Sequence, residues 1–451
     1  MKVLHVCSFY RPFGGAEKLL FSVLDLLEAR GVDNAVLAPK SQSAGATGKR
    51  PEHFVDFLEY PFEQHGIYAS VRDNRRLMAS IADVIHAERP DVLHLHNQQN
   101  PFIYKACVDS GIPIVRNVHD PRLYCPTNWR LLPDESLCPY PFGRACITEG
   151  CVKPTAPEMK HIAVMAWNRK LSFENTTLII ESRESYELAR QNGYRDEQLC
   201  LIPNCTHVEP HGIVEAEKAA VCRDEGDEIL FVGRASREKG IPFLLKALTK
   251  VQRPCTLNLL TAGDYFQHEI APLITRLGLE SRVNVKLNTS YADTARYYAS
   301  ADAVIVPSVW FETFCLVGIE AYSHMTPVIA TRVGGIKDWC VDGETGLLVD
   351  IFDEAALAAG IDRMLGDRAL RHRLGRNGYD RTLRLYSEQA YFERLYGLYE
   401  KVATDGARDT DRLSRLAGRA LQPRPRLLDL VAQDAGARGG RPRPEQPAAN
   451  A

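Results

Sequence analysis

The chain has 451 residues, and its 55 lysines and arginines nearly balance its 57 aspartates and glutamates. This length exceeds what one ordinary hydrophobic core supports, so we expect at least two domains. The formal net charge of -2 gives no general electrostatic reason to bind nucleic acid, and no nucleic-acid partner is expected.

The start of the sequence has the pattern of a buried strand, because the apolar run VLHVC follows the first two residues directly. A secretory signal would show a basic region and a longer apolar segment. No apolar run approaches the roughly 20 residues that span a bilayer. We therefore expect a cytoplasmic location, either free or peripheral at the inner face of the cytoplasmic membrane. Twelve cysteines in a chain of this length indicate reduced thiols or metal ligands rather than an extracellular disulfide scaffold.

Apolar runs and helical stretches alternate along the first part of the chain. The runs that predict strands are residues 3–7, 35–38, 92–95, 114–118, 177–181 and 199–202. Such alternation is typical of a mostly parallel sheet with helices on both faces. It predicts an N-terminal Rossmann-like domain over residues 1–204.

A second series of apolar runs follows a polar, Pro- and Gly-containing segment at residues 205–227, which predicts a linker. The second series comprises residues 229–232, 256–260, 283–286, 303–306, 328–330 and 346–349. It predicts a second, C-terminal Rossmann-like domain over residues 228–380. The predicted fold class is therefore α/β, with two doubly wound Rossmann-like domains that face a cleft, where such sheets bind ligands.

The end of the chain changes composition. Helices are predicted over residues 381–402, packed back toward the N-terminal domain. Residues 403–451 are rich in Arg, Ala, Gly, Pro and Asp, which cannot bury a core, so a largely disordered tail is expected there.

Two carboxylates lie eight positions apart, at Glu312 and Glu320, where a predicted strand end passes into a helix. Each can reach a different part of one polyhydroxylated ligand. The free backbone N–H groups of residues 313–317, at the start of that helix, can point at a phosphate or a sugar hydroxyl.

Two cations, Arg234 and Lys239, follow the predicted strand 229–232. A departing diphosphate concentrates negative charge, which cations and aligned N–H groups stabilise. Taken alone, the two residues fit an ordinary basic loop equally well. Paired glycines at positions 14–15 and 334–335 also follow strands and are candidates for phosphate contact, although most such pairs are only turns.

His119 ends the predicted strand 114–118, where it can donate to a sugar hydroxyl or assist charge development. A histidine that is hydrogen-bonded locally at a strand end is the alternative interpretation. We interpret His94 as structural and His96 as a weaker cleft candidate.

In this order, the motifs resemble those of the family 4 retaining glycosyltransferases (group 1), which have the GT-B fold. The resemblance extends from residue 1 to about residue 402. It implies that residues 1–204 form the acceptor side of the molecule and that residues 228–380 form a nucleotide-sugar-binding domain. It is carried by GGAE at 14–17, VHD at 118–120, IPN at 202–204, FVGRASREKG at 231–240, the segment 307–320, and VGGIKDWCVDGETGLLV at 333–349.

The resemblance implies a role for each charged motif residue. Glu320 would hold the nucleotide ribose and Glu312 the transferred sugar. Arg234 and Lys239 would hold the diphosphate, and His119 would approach the sugar beside the reacting carbon. No divalent metal or other cofactor would be required for transfer.

Further donor contacts are expected at Gly14, Gly15, Phe314, Cys315 and Leu316. Cys315 stands where the family usually has glycine, which implies altered local geometry or donor preference. Asp338 stands where glutamate is commoner. Neither difference removes a charged motif residue, so an active enzyme is expected.

Four cysteines lie in a Pro-, Gly- and aromatic-rich insert over residues 121–155, at Cys125, Cys138, Cys146 and Cys151. Four thiolates can complete a tetrahedral zinc site, although the spacings of 13, 8 and 5 lack a C-x-x-C pair. Structural zinc, one or two disulfides, and free thiols all remain open.

A basic amphipathic helix is predicted around residues 158–170. It fits core packing with a solvated edge. It also fits contact with an anionic membrane that carries a lipid-linked acceptor.

The sequence thus predicts a retaining, hexosyltransferase-type enzyme that uses a UDP- or GDP-sugar. The acceptor would be a hydroxyl of a glycan or lipid-linked molecule in polysaccharide or envelope glycan biosynthesis. A nucleotide-sugar epimerase of the same architecture and a non-catalytic glycosyltransferase-like partner subunit are the alternatives. Product analysis with donor alone would identify the epimerase.

Overall fold

A computed structural model describes residues 1–11, 15–40, 43, 47–55, 71–96, 98–221 and 227–408. Within these residues, a seven-stranded parallel sheet in the order β3-β2-β1-β4-β5-β6-β7 forms the first structural unit. Its strands are Lys2–Cys7 (β1), Asp33–Pro39 (β2), Glu52–Val55 (β3), Val92–His96 (β4), Ile114–Asn117 (β5), Thr176–Ile180 (β6) and Leu199–Leu201 (β7).

A six-stranded parallel sheet in the order β10-β9-β8-β11-β12-β13 forms the second unit of the described chain. Its strands are Glu228–Val232 (β8), Thr256–Thr261 (β9), Val283–Leu287 (β10), Ala303–Val306 (β11), Val328–Thr331 (β12) and Gly346–Val349 (β13).

Helices connect the strands and cover both sheets. Those of the first unit and the connection are Gly15–Ala29 (α1), Val71–Glu88 (α2), Pro101–Asp109 (α3), Ala145–Thr148 (α4), Ala156–Asn175 (α5), Arg183–Gln191 (α6) and His211–Val221 (α7). Those that follow are Ile241–Leu248 (α8), Ala271–Arg276 (α9), Tyr291–Ser300 (α10), Leu316–Ser323 (α11), Ile336–Trp339 (α12), Glu354–Gly366 (α13), Arg368–Leu385 (α14) and Glu388–Arg408 (α15).

Both faces of the second sheet are buried. Alternate side chains of a strand point to opposite faces, so Ile229 and Ile305 enter one apolar cluster while Leu230 and Val304 enter another. Near-continuous apolar strands such as AVIV in β11 follow from this two-sided burial. The predicted α/β architecture of two doubly wound Rossmann-like units is confirmed.

Three parts of the chain differ from the sequence expectations or extend them. Strand β3 was not predicted, because its four half-buried residues, EHFV, lack an apolar run. The predicted linker contains α7, whose Val214 packs against Tyr379. Helix α15 continues to Arg408, and residues 409–451 lie outside the described residues.

The last described helix, α15, packs onto the first sheet. Tyr391 and Leu395 join an apolar cluster with Val3 and Val115. The Tyr399 hydroxyl also hydrogen-bonds Nδ1 of His94 at 2.6 Å. The chain therefore returns from the second unit to complete the core of the first.

Helix α5 buries its apolar side within the protein, including Ile162, Met165 and Leu171. Lys160 and Lys170 remain exposed. This arrangement favours core packing over insertion of that apolar side into a membrane. None of the helices in the described ranges is both long and apolar enough to cross a bilayer.

Candidate active site

The predicted site residues follow central strands of both sheets. His119 follows β5 in the first unit, while Arg234 and Glu312 follow the neighbouring strands β8 and β11 of the second. Because parallel strands end at one edge of a sheet, these side chains collect at the carboxyl edges, where ligands bind in open α/β sheets.

A buried ion pair joins the loops after β8 and β11. The Lys239 ammonium lies 2.7 Å from Oε1 of Glu312, and the Ser308 hydroxyl donates to the same oxygen at 2.7 Å. Glu312 is only 4 % exposed. The structure thus brings together two residues that the sequence assigned to different parts of the donor.

Glycine at position 240 permits this approach. Lys239 ends a helical turn, Arg237–Lys239, and Gly240 continues it with a φ of 70°. A Cβ at Gly240 would lie 1.8 Å from the carbonyl oxygen of Pro307. Only glycine therefore lets this turn pack against the end of β11, which sets Lys239 beside Glu312.

The two charges stabilise each other. Burial raises the pKa of Glu312, but the charge of Lys239 and hydrogen bonds from Lys239 and Ser308 outweigh it and lower this pKa overall. Burial likewise lowers the pKa of Lys239, and the carboxylate of Glu312 reverses that effect. Both groups are therefore charged at neutral pH.

Arg234 occupies a more open position in the same loop. Its side chain is 56 % exposed and lies 3.6 Å from Oε1 of Glu238, longer than a hydrogen bond. The guanidinium is therefore able to reach a ligand without first leaving a strong partner.

Glu320, on α11, contacts both units. Its Oε2 accepts a 2.8 Å hydrogen bond from Tyr298, and its Oε1 accepts one from Lys18 of α1. The start of α1 lies nearby, since a Cβ at Gly15 would be 3.3 Å from Cδ1 of Leu316. Gly14 lies outside the described residues. Lys18 was not recognised in the sequence, because no local pattern pairs it with a residue about 300 positions later.

The entry to α11 has an unusual backbone. Cys315 precedes the helix with φ 70° and ψ 94°, in a region that suits glycine, and no side-chain hydrogen bond caps the first turn. This conformation fits the expectation, drawn from the family resemblance, of glycine at this position. Burial raises the pKa of the Cys315 thiol to about 12, so the group is uncharged.

Two of the expected donor contacts have protein partners in the structure. The side chain of Phe314 is fully buried against Tyr386, so a donor contact there would involve the backbone. The Gly335 N–H donates to the carbonyl oxygen of Glu312 at 2.8 Å, and a Cβ at Gly334 would lie 2.0 Å from the same oxygen. This glycine pair therefore packs against the Glu312 backbone.

His119 is held by Glu181, a residue that the sequence analysis did not identify. Its Nδ1 lies 2.5 Å from Oε1 of Glu181, directly after the adjacent strand β6. Its Nε2 is buried without a hydrogen-bond partner. The sequence signal for Glu181 was a carboxylate at the end of an apolar run. That run forms β6, which pairs with the strand that precedes His119.

The Glu181 carboxylate changes the pKa of His119. Burial lowers the pKa of His119, but the charge and hydrogen bond of Glu181 raise it above its ordinary value overall. The backbone of His119 also contacts the second unit, because the Thr313 hydroxyl donates to the His119 carbonyl oxygen at 2.8 Å.

Asp338 lies at the contact between the units. Its Oδ2 accepts a 2.7 Å hydrogen bond from the Arg183 N–H, at the start of α6. Burial raises the pKa of this carboxyl group. The shorter aspartate is therefore a structural contact at this interface.

A histidine cluster lies beneath His119 in the first sheet. Ligand atoms of His5, His94 and His96 lie within 4.8 Å of one another. Both nitrogens of His5 and of His94 already have polar neighbours, and burial lowers the pKa of all three residues. We interpret the cluster as a buried hydrogen-bond network, with His94 structural as expected.

Two family models match the chain. One describes glycosyltransferase family 4 and matches residues 13–209. The other describes glycosyl transferases group 1 and matches residues 215–381. Together they cover both structural units.

Relatives share parts of the sequence or nearly all of it. An uncharacterized glycosyltransferase of Methanocaldococcus jannaschii is 33% identical over 180 residues, 40% of this chain and 46% of that protein. A D-inositol 3-phosphate glycosyltransferase of an Arthrobacter species is 36% identical over 156 residues, 33% of this chain and 36% of that protein. The chain thus spans less than half the length of these relatives. A phosphatidyl-myo-inositol mannosyltransferase of Mycobacterium leprae is 25% identical over 416 residues, 90% of this chain and 99% of that protein.

Solved structures share the fold. Anabaena HepE in complex with UDP and glucose superposes with a TM-score of 0.66 and 20% identity, covering 89% of this chain and 99% of HepE. Sucrose-phosphate synthase from Thermosynechococcus elongatus gives 0.67 and 21% identity, covering 90% and 100%.

We predict that Cys315→Gly stabilises the protein by about 1 kcal/mol, because it relieves a backbone conformation that costs a non-glycine residue about 1–3 kcal/mol. Part of that gain is offset by the greater freedom of glycine in the unfolded chain. Thermal unfolding measures the change. Cys200→Gly, in strand β7, is the control and should destabilise. Equal destabilisation by both variants would show that Cys315 is not strained.

We predict that Glu181→Gln lowers the pKa of His119, because the carboxylate that outweighs burial is lost. A raised folded pKa stabilises the protein fully below the unfolded value, near 6.5, and this contribution disappears as pH rises through the folded pKa. The variant should therefore lose stability mainly at acidic pH. NMR titration of labelled histidine and thermal unfolding against pH test this. Glu187→Gln, at an exposed position on α6, is the control, and an unchanged His119 pKa in Glu181→Gln would contradict the assignment.

Proposed function

The chain belongs to the family 4, group 1 glycosyltransferases, and from this premise we propose that it transfers a sugar from a nucleotide-sugar to an acceptor hydroxyl. The observation that carries the proposal is the buried Lys239–Glu312 pair, set between the open Arg234 and the uncapped start of α11. This arrangement supplies cations and N–H groups for a diphosphate beside a carboxylate for a sugar.

The donor would lie along the carboxyl edge of the second sheet. Lys239 and Arg234 would bind the diphosphate together with the first N–H groups of α11. Glu320, oriented by Tyr298, would accept hydrogen bonds from the ribose once Lys18 moves aside. HepE, a structural neighbour, has been crystallised with UDP and with UDP-glucose. This supports a UDP- or GDP-sugar as the donor class.

Transfer would proceed with retention. The bond between the anomeric carbon and the diphosphate oxygen breaks, and Lys239 and Arg234 stabilise the charge that develops on the phosphate. The acceptor oxygen bonds to the same face of that carbon, and its proton passes to the departing phosphate oxygen. Glu312 already accepts from Lys239 and Ser308, which suits a residue that positions the sugar better than a covalent nucleophile.

His119 would donate from Nε2 to a sugar hydroxyl beside the reacting carbon. This atom has no partner in the protein, while Nδ1 is held by Glu181. The raised pKa of His119 favours a form that carries a proton on both nitrogens. We propose that no divalent metal or cofactor takes part, since cationic side chains and backbone N–H groups occupy that role.

The acceptor would be a glycan or lipid-linked hydroxyl on the cytoplasmic side of the membrane, in polysaccharide or envelope glycan biosynthesis. Names among the relatives support this class: one is a capsular polysaccharide biosynthesis glycosyltransferase of Staphylococcus aureus. Arg234, Lys239, Glu312 and Glu320 are all present, which favours an active transferase over a non-catalytic subunit.

We predict that Lys239→Ala and Arg234→Ala each weaken UDP or GDP binding by about 1.5–3 kcal/mol, the usual value of a charge-assisted contact. Isothermal titration calorimetry measures the loss. Lys246→Ala, exposed on α8, is the control and should bind as the unmodified chain does. Unchanged affinity in both test variants would refute the diphosphate assignment.

We predict that Glu320→Gln weakens binding of free nucleoside diphosphate, whereas Glu312→Gln does not. Ribose is present in the free nucleotide and the sugar is not, and loss of the Glu312 charge leaves Lys239 free for the diphosphate. Both variants should transfer more slowly. Calorimetry with UDP, combined with initial rates, separates the effects. Equal weakening of free-nucleotide binding by both would overturn this division of roles.

A further inference from the structure

The insert over residues 121–155, between β5 and α5, has almost no hydrophobic core of its own. Its regular structure is a helical turn, the four-residue α4, and one isolated bridge between Leu131 and Leu137. Between positions 126 and 151, all of which are described, the only buried residue is Arg130. A segment that buries so little apolar surface is usually held by a metal or by disulfides.

The four cysteines of the insert converge. Cys125, Cys138, Cys146 and Cys151 all line one cavity of about 10 Å³, enough for a single water-sized occupant. Backbone hydrogen bonds bring their segments together: the Cys138 N–H donates to Arg130 at 2.8 Å, and the Val152 N–H donates to Cys146 at 2.9 Å. No disulfide links any of them, nor any other cysteine of the described ranges.

Arg130 places an uncompensated positive charge at this cavity. Its guanidinium donates to the backbone oxygens of Cys138, at 2.6 Å, and Tyr140, and one N–H points at the Cys138 sulfur at 3.5 Å. Arg130 is 5 % exposed, and its Nε has no partner. No carboxylate of the described residues pairs with it. A buried cation is costly unless a negative charge accompanies it.

Zinc, disulfides and free thiols differ in whether they place a negative charge beside Arg130. Four thiolates around one Zn²⁺ carry a net charge of about minus two, which would neutralise Arg130 and accept its N–H groups. Two disulfides carry no charge and would leave the guanidinium uncompensated. Four protonated thiols would do the same.

We propose that Cys125, Cys138, Cys146 and Cys151 bind one Zn²⁺ ion as a closed tetrahedral site, with Arg130 donating to the thiolate shell. Four S–H protons leave as four Zn–S bonds form, and no oxidant or reductant is needed. Among the described residues, only His5, His94 and His96 hold three ligand atoms within 4.8 Å of one another, so the four sulfurs are not yet that close. Zinc uptake therefore draws the cysteine-bearing turns closer together.

The site would stabilise one wall of the cleft. Glu135 of the insert forms an ion pair with Arg237, and the Trp129 ring lies 6.1 Å from that of Trp310. The Trp310 ring centroid is in turn 5.5 Å from the Lys239 ammonium. The metal proposal itself does not depend on the proposed transferase function.

The test uses the full chain, purified without a histidine tag in the presence of a reductant. Elemental analysis should give about one zinc per chain, and zinc X-ray absorption should show four sulfur neighbours at about 2.3 Å. The double variant Cys138→Ser/Cys146→Ser should lose the metal. Cys200→Ser, a half-buried thiol outside the insert, is the control and should keep it.

Other results would overturn the proposal. Intact-mass and thiol analysis of protein purified without reductant would reveal disulfides among these four cysteines. Nitrogen neighbours in the absorption spectrum would indicate a histidine site. Zinc retained at full stoichiometry by the double variant, or metal-free protein with four reactive thiols, would also contradict it. The absorption spectrum of the unmodified chain decides the question even if the variants fail to fold.

Discussion

The buried ion pair between Lys239 and Glu312 is the interaction on which the rest of the site depends. Burial removes much of the hydration of both charges, since the side chain of Glu312 is 5 % exposed and that of Lys239 is 21 % exposed. Their mutual attraction compensates for this loss only when the geometry is good. Here a second donor, Ser308, and the close approach at Gly240 provide that geometry. The pair therefore contributes less to stability than to the position of the two charges. It keeps a cation and a carboxylate fixed at the ends of adjacent strands before any ligand binds.

Three polar contacts link the two structural units. The Lys18–Glu320 ion pair, the Thr313 hydrogen bond to His119 and the Arg183 hydrogen bond to Asp338 all cross from one unit to the other. Each involves a residue that the sequence places at or beside a motif. One of these contacts, between Lys18 and Glu320, uses a group proposed to bind the ligand, so donor binding would have to replace a protein partner with ligand atoms there.

Most of the fold could be predicted from the sequence, because a buried parallel strand is a continuous apolar run. Such a run is recognisable without knowing which strands pair with it. All twelve predicted strands recur with small shifts at their ends, and only the half-exposed β3 was missed. The site was predicted less evenly. Glu181 contacts His119 and Lys18 contacts Glu320, and both partners are far away in the sequence. Hydrophobic periodicity does not show such pairs. Phe314 and Gly335 lie within motifs, but only packing shows that one fills the core and the other supports the Glu312 backbone. The positive φ of Cys315 likewise depends on how α11 meets its preceding loop.

A crystal structure of the chain with bound UDP or GDP would test the central claim most directly. We expect the diphosphate to lie against Lys239, Arg234 and the first turn of α11, with the ribose on Glu320 and Lys18 displaced from that carboxylate. A nucleotide bound in the first unit, or one that leaves the Lys239 ammonium and Glu320 without contact, would contradict it.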